Sequence, residues 1–261
     1  MKKLSLVLLG ALETAQVAQA APGAFNGFYL GGQLGWTHRS DKTDFASAKV
    51  GIHVIAEVTQ SAVNKKMTAN GLNYGIYTGY GQNNSGFYWG GEFSIEDDNA
   101  SKESTNGIKS TYLGQARNDI NAKLKTSYKR GVIFALTPRI GAVIANENLL
   151  YFKLGMEFSR DKVTASWAPV ESEWNLNAPG LIASTRYSTG HKTSSKNQFV
   201  FVPGIGYERA FGKLLARVEY GYNFGQKITT PGVLKGTDGK YIPVTVKYSA
   251  HVLKFGLAYK F

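Results

Sequence analysis

The chain has 261 residues and no cysteine, which excludes disulfide staples and thiolate chemistry. Aromatic residues make up 13% of it and glycine fills 30 positions, against a usual glycine share of ~7%; glycine with aromatics in short alternating segments is the composition of small β-barrels. The formal net charge of +12 calls for acidic partners. In an exported chain that means lipid phosphates or acidic polymers rather than nucleic acid.

Export is read at the N-terminus. Lys2 and Lys3 precede an apolar stretch from Leu4 to Leu12, and Ala18-Gln19-Ala20 has the small-x-small pattern of a signal-peptidase site. Nine residues rise only about 13 Å as a helix, too little for a hydrocarbon core of roughly 30 Å. Glu13 is an unusual residue at that place. Residues 1–20 are therefore expected to be a cleaved signal peptide and 21–261 one β domain. The remainder holds no second apolar run long enough for a transmembrane helix.

Eight segments then alternate with period two, as a strand does when its faces meet different solvents. The first sets Phe28, Leu30, Leu34 and Trp36 against Tyr29, Gly31, Gln33 and Gly35, and a weaker one runs from Leu72 to Gln82. Phe87, Trp89, Phe93 and Ile95 oppose Tyr88, Gly90, Glu92 and Ser94. Val132, Phe134, Leu136, Ile140 and Ala142 oppose Thr137, Arg139 and Gly141. Leu150 to Phe158, Phe199 to Tyr207 and Leu214 to Tyr222 repeat the pattern. The last is clearest, with Leu253, Phe255, Leu257, Tyr259 and Phe261 separated by Lys254, Gly256, Ala258 and Lys260.

The connections distinguish a barrel from a soluble sandwich. Asn83-Asn84-Ser85-Gly86, Asn146-Glu147-Asn148 and Gly212-Lys213 are tight turns, built from residues that tolerate positive φ. Residues 40–71, 99–122, 161–196 and 226–242 are long and polar. Short and long connections alternate strictly, which predicts an all-β, eight-stranded antiparallel transmembrane β-barrel in a bacterial outer membrane. Three short periplasmic turns and four long extracellular loops join its strands. Pro138 and Pro203 fall inside predicted strands and are expected to mark bulges or strand ends.

Three segments carry a family resemblance: residues 28–36 (FYLGGQLGW), 203–208 (PGIGYE) and 217–222 (RVEYGY). They resemble the small outer-membrane β-barrel superfamily, which includes the transmembrane domain of outer membrane protein A, the opacity-type adhesins and alphaproteobacterial surface antigens. The resemblance implies that Tyr259 and Phe261 belong to an assembly signal read by the barrel assembly machinery. It also implies contact with outer-membrane lipid and lipopolysaccharide. Unlike outer membrane protein A, this sequence shows no peptidoglycan-binding segment, so tethering by that route is not expected.

Candidate chemistry is sparse. Glu92, Arg139, Lys153, Glu157, Glu208, Arg217, Glu219 and Lys254 fall on the predicted lumen face. An eight-stranded barrel is just wide enough for side chains to fill, so these charges are expected to pair as a plug, with a narrow ion path as the alternative. His38, His53, His191 and His251 match no metal-ligand spacing, and no cofactor is expected. Ser249 and His251 share one face of the last strand, a slight resemblance to outer-membrane lipid A deacylases, but no orienting acid can be named. In the long connections, Trp167 and Trp174 lie in a Ser/Thr/Asn-rich setting. Lys42, Lys49, Lys65 and Lys66 flank an apolar run from Ile52 to Ala56. These suit a host-surface ligand bound through the loops, or interface padding. The expectation is a non-enzymatic surface scaffold in envelope integrity and adhesion; the alternatives are a small-solute channel and a lipid A-modifying enzyme.

Overall fold

Alternating side chains become extended chain throughout the computed structural model, which describes residues 23–45, 49–50, 56–57, 66–111, 119–168, 190–225, 227–230 and 244–261. The expected signal peptide lies outside these residues, as do His53 and Trp174. In chain order the strands are β1 (Gly27–Phe45), β2 (Lys49–Val50), β3 (Ala56–Glu57), β4 (Lys66–Asn84), β5 (Phe87–Asp98), β6 (Lys102–Thr111), β7 (Asp119–Lys129), β8 (Ile133–Ile144), β9 (Asn148–Ala168), β10 (Gly190–Phe211), β11 (Leu214–Asn223), β12 (Lys227–Thr230) and β13 (Val244–Lys260).

Eight of them form an antiparallel ring in the order β1, β4, β5, β8, β9, β10, β11, β13. Pairing of β1 with β13, from Tyr29↔Lys260 to Phe45↔Val244, closes it. Beyond the end of β8, the β6–β7 hairpin takes over pairing with β9; beyond the end of β11, β12 pairs with β13. β2 and β3 form a separate two-stranded pair.

This corrects the expected connections. β1 runs on to Phe45, β4 starts at Lys66, β9 reaches Ala168 and β10 begins at Gly190. The reason is solvent. Past Trp36 the outward residues of β1 are His38, Ser40 and Lys42, so the hydropathy contrast fades where the wall leaves lipid while the backbone ladder continues. Pro138 and Pro203 also depart from expectation, since both lie within strands and neither marks an inserted residue. Pairing of β8 with β9 lapses between Leu136↔Met156 and Arg139↔Lys153 and resumes in the same register. Pro203 keeps register with Leu154, and the β10–β11 ladder begins at the next residue, Gly204.

The tight turns lie at one end with the described termini. Ser85 and Gly86 have φ of 51° and 92°, the two positive values of a type I′ hairpin. Ala145 and Asn146 are also positive, at 50° and 60°. Gly212 has φ 63° at the first position of a two-residue turn. At the same end the Phe261 N–H donates to the Phe28 carbonyl, and that of Lys260 to Lys213.

Inside and outside are inverted relative to a soluble protein. Among the described residues thirty-two large hydrophobic side chains are exposed, including Leu34, Phe152, Phe255 and Leu257. Leaving such residues in water would forfeit about 1.5–3 kcal/mol each, so this band requires hydrocarbon. The interior instead holds charge, tyrosine and glycine. A β-carbon at Gly79 would strike the Tyr29 ring from the neighbouring strand, and one at Gly206 the Tyr151 ring. Much of the glycine excess is the space those tyrosines fill.

Candidate functional site

The lumen is built in three layers, each from inward positions of several strands. At the periplasmic end Phe25, Tyr29, Tyr77, Tyr88, Leu149, Tyr151 and Leu215 form an apolar cluster. Phe25 enters from the turn before β1, and its ring meets that of Tyr88 edge-on at 6.3 Å. Lys260 Nζ holds this turn by donating to the Gly23 carbonyl at 2.8 Å.

The middle layer contains the inward charges. Arg217 on β11 donates to both carboxylate oxygens of Glu92 on β5, and to Gln33 Oε1 at 2.8 Å. Its guanidinium lies 3.5 Å from the Tyr77 ring centroid. Arg139 on β8 donates to Glu208 at 3.2 Å and to the Tyr88 hydroxyl oxygen at 2.7 Å, with Glu92 3.7 Å away. The same guanidinium faces the Tyr151 ring at 4.6 Å. Lys153 pairs with Glu219 at 2.5 Å, and Glu219 also accepts from the Tyr151 hydroxyl at 2.6 Å. Lys254 contacts both oxygens of Glu96, at 2.6 and 2.8 Å. Fixed cations across the ring from fixed carboxylates can hold the strands together.

Above the charged middle layer lies a third. Glu157 accepts from Arg130 at 2.7 Å. Arg39 donates through Nε to Asp41 at 2.9 Å and stacks on Tyr128 at 4.5 Å. Tyr128 and Tyr248 both donate to Asp161, at 2.6 and 3.3 Å, beside an apolar group of Val163, Ile228 and Val246. Here, beyond the lipid band, burial pushes the carboxyls of Asp41 and Asp98 up from their ordinary range. Arg39 opposes the shift at Asp41, and the Ala100 N–H opposes it at Asp98.

All eight expected lumen residues lie inside, in contact with charges of opposite sign. Sequence reasoning missed Glu96, Gln33, Arg130, Arg39, Asp41, Asp161 and the tyrosines that bond to them. Glu96 was within reach, since it stands four residues from Glu92 on the same face. Tyr259 and Phe261 lie on the lipid face with rings 5.6 Å apart. His38 and His251 are opposite each other on the outer wall, bound through Nδ1 to Asn70 and to the Tyr220 hydroxyl respectively, both at 2.6 Å. A Ser–His hydrolase would have a carboxylate in the place of that phenol. His191 is exposed on β10. Among the described residues no group of three or more His, Asp or Glu could hold a metal ion.

An apolar belt outside, a charged lumen and a closed antiparallel ring define an outer-membrane β-barrel. The chain belongs to the outer membrane protein beta-barrel domain family, whose sequence model spans residues 4–261. No curated protein matches it. Remotely similar solved structures include the following three. Ail, the attachment invasion locus protein of Yersinia pestis, has 13% identity over 87% of this chain and 99% of its own, with a TM-score of 0.29. Neisserial surface protein A has 10% identity over 90% and 97%, with a TM-score of 0.29. The outer membrane protease OmpT of Escherichia coli has 10% identity over 93% and 99%, with a TM-score of 0.31.

Proposed function

We propose that this barrel is a non-enzymatic scaffold of the outer membrane that presents its extracellular connections for envelope integrity and adhesion. The observation that carries this reading is the filled lumen. Between the apolar clusters at its two ends, the cavity bordered by Gln33, Glu96, Lys153, Glu219 and Lys254 measures about 20 Å³. That is room for about one water molecule. Opening an ion path would separate Arg217 from Glu92 and Lys254 from Glu96, at a cost of several kcal/mol for each buried charge left alone.

The test is conductance in planar lipid bilayers with the full chain. The expected result is no unitary current above the lipid background at moderate voltage; regular openings would favour the small-solute channel. The enzyme alternative is checked by mass analysis of lipid A from cells with and without the protein, where unchanged acyl and phosphate patterns are expected. Adhesion rests on the outer connections. Deleting residues 169–189 should lower attachment of cells to a host surface while leaving the barrel in the membrane.

A further inference from the structure

Where the wall leaves lipid, β1 and β13 bring together two histidines from opposite ends of the chain. Trp36 and Leu253 are opposed on these strands and are the last large hydrophobic residues of their outward faces. The next outward positions are His38 and His251, again opposed and both exposed. Across β4, β1, β13 and β11 this row reads Asn70, His38, His251, Tyr222. Directly opposed residues of an antiparallel pair have β-carbons about 4.5–5.5 Å apart. Two imidazoles at that spacing can reach one ion, because metal–nitrogen bonds of about 2.0–2.1 Å need ring nitrogens about 3 Å apart.

Their partners aim the rings. His38 Nδ1 bonds to Asn70 Oδ1 on the β4 side, and His251 Nδ1 to the Tyr220 hydroxyl on the β11 side, both at 2.6 Å. In an imidazole the Cδ2–Nε2 edge lies opposite Nδ1. Each ring therefore turns Nδ1 toward its outer neighbour and its Cδ2–Nε2 edge toward the β1–β13 seam, where the other ring stands. The proton follows from the same contacts. An amide oxygen only accepts, so His38 Nδ1 carries the hydrogen and Nε2 keeps its lone pair. The Tyr220 oxygen can accept from His251 in the same way. A neutral histidine whose other ring N–H is held by an oxygen acceptor is the usual form of a metal ligand. The Tyr222 ring packs on His251 at 4.8 Å between centroids and limits its rotation.

The donor set selects the kind of ion. Neither this row nor the next, Thr68, Ser40 and Ser249, holds a carboxylate. Calcium and magnesium need oxygen ligands, whereas imidazole nitrogen suits copper, nickel and zinc. Lys42 and Lys247 stand four positions beyond the histidines. That is about 13 Å along the strand, more than a Debye length at physiological salt, so their charge is largely screened.

We propose that His38 and His251 bind one divalent transition-metal ion at the extracellular rim of the wall, copper(II) most tightly, with water completing its coordination. Asn70 and Tyr220 are positioning residues. Two protein ligands suit reversible capture, in contrast to a structural site closed by four. The pair faces outward, so the site stands or falls separately from the filled lumen.

The experiment uses the full chain without an affinity tag, purified in mild detergent, stripped with chelator and titrated with copper(II) chloride. Calorimetry reads the stoichiometry, and electron paramagnetic resonance reads the ligands. One ion per barrel is expected, with hyperfine splitting from two imidazole nitrogens. His38→Gln or His251→Gln should each weaken binding about a hundredfold, since the second imidazole joins as an intramolecular ligand. Asn70→Ala and Tyr220→Phe should each weaken it about tenfold, with both nitrogens still coordinated. His53→Gln with His191→Gln should change nothing. Zinc(II) should compete less tightly than copper(II), and calcium should not compete at all. All variants should keep heat-modifiable migration on gels, as folded barrels do. The proposal is overturned by unchanged affinity in either His38→Gln or His251→Gln, or in both positioning variants. An equal loss in the His53, His191 variant, a spectrum with fewer than two nitrogens, or displacement by calcium would overturn it as well. So would half an ion per barrel with metal-dependent dimers, which would assign the pair to an interface between copies.

Discussion

Among the described residues, the membrane-level layer of the lumen sets four buried carboxylates, Glu92, Glu96, Glu208 and Glu219, against four cations, Arg139, Lys153, Arg217 and Lys254. The extracellular layer sets four, Asp41, Asp98, Glu157 and Asp161, against two arginines that are buried among the described residues, Arg39 and Arg130. Both terminal nitrogens of Arg139 and of Arg217 bond to protein acceptors, whereas those of Arg39 meet none. Where hydrocarbon surrounds the wall, charge has to be balanced by side chains. Above the belt, protonation of a carboxyl can do part of that work.

The comparison breaks first if the middle layer tolerates an unpaired charge. Arg217→Met should cost about 3–5 kcal/mol, because Glu92 loses its bidentate partner in a dry setting. Urea unfolding in lipid vesicles, followed by tryptophan fluorescence, measures it. Adding Glu92→Gln should restore more than half of the loss, and a single-variant cost near zero would mean the pair does not hold the ring. The equivalent change above the belt, Arg39→Met, should cost less, about 1–2 kcal/mol, because Asp41 can take up a proton once its partner is gone.

The pH response sharpens the contrast. Asp41 and Asp98 bind protons more tightly folded than unfolded, so their contribution favours the folded layer at low pH. It fades as pH rises from the ordinary carboxylate range through their raised folded values. Amide hydrogen exchange around Tyr128 and Tyr248 should therefore slow, relative to intrinsic rates, between pH 7 and pH 4. A response that disappears in the Asp41→Asn, Asp98→Asn variant would assign it to these carboxyls. The smallest effect is expected at the turn. Ala145 carries a left-handed φ of 50°, and Ala145→Gly should add about 0.5–1 kcal/mol to stability in the same urea assay, net of the extra chain entropy.

The ring and the facing of its strands were legible because lipid imposes the alternation: Leu253 to Phe261 cannot face the same solvent as Lys254 and Lys260. The eight lumen charges followed from that parity. Arg39, Asp41 and Asp161 were missed because their outward neighbours are polar, and the strands there read as loop. Arg130 was hidden for another reason. Inward residues are even-numbered on β7, at Thr126 and Tyr128, and at Arg130 just past its end, but odd-numbered on β8, at Ile133 and Ala135, so alternation counted from β8 points Arg130 the wrong way. Pairings across the ring, such as Arg217 with Glu92, span 125 positions and leave no local pattern to read.

The parity change between β7 and β8 recurs between β11 and β12, where inward positions pass from odd-numbered Asn223 to even-numbered Ile228. Each break works as a joint at which the count of residues is reset. One residue gained or lost in β7 or β12 can be absorbed there, and the lipid-facing set below stays where it is. β9 has no such joint and keeps one parity from Leu149 to Ala165. A residue inserted near Asp161 would turn every side chain beyond it inside out. The connections that end in joints are thus free to drift in length and sequence, while the β9–β10 hairpin can change only in steps of two or beyond its tip. Variation between relatives should be distributed accordingly.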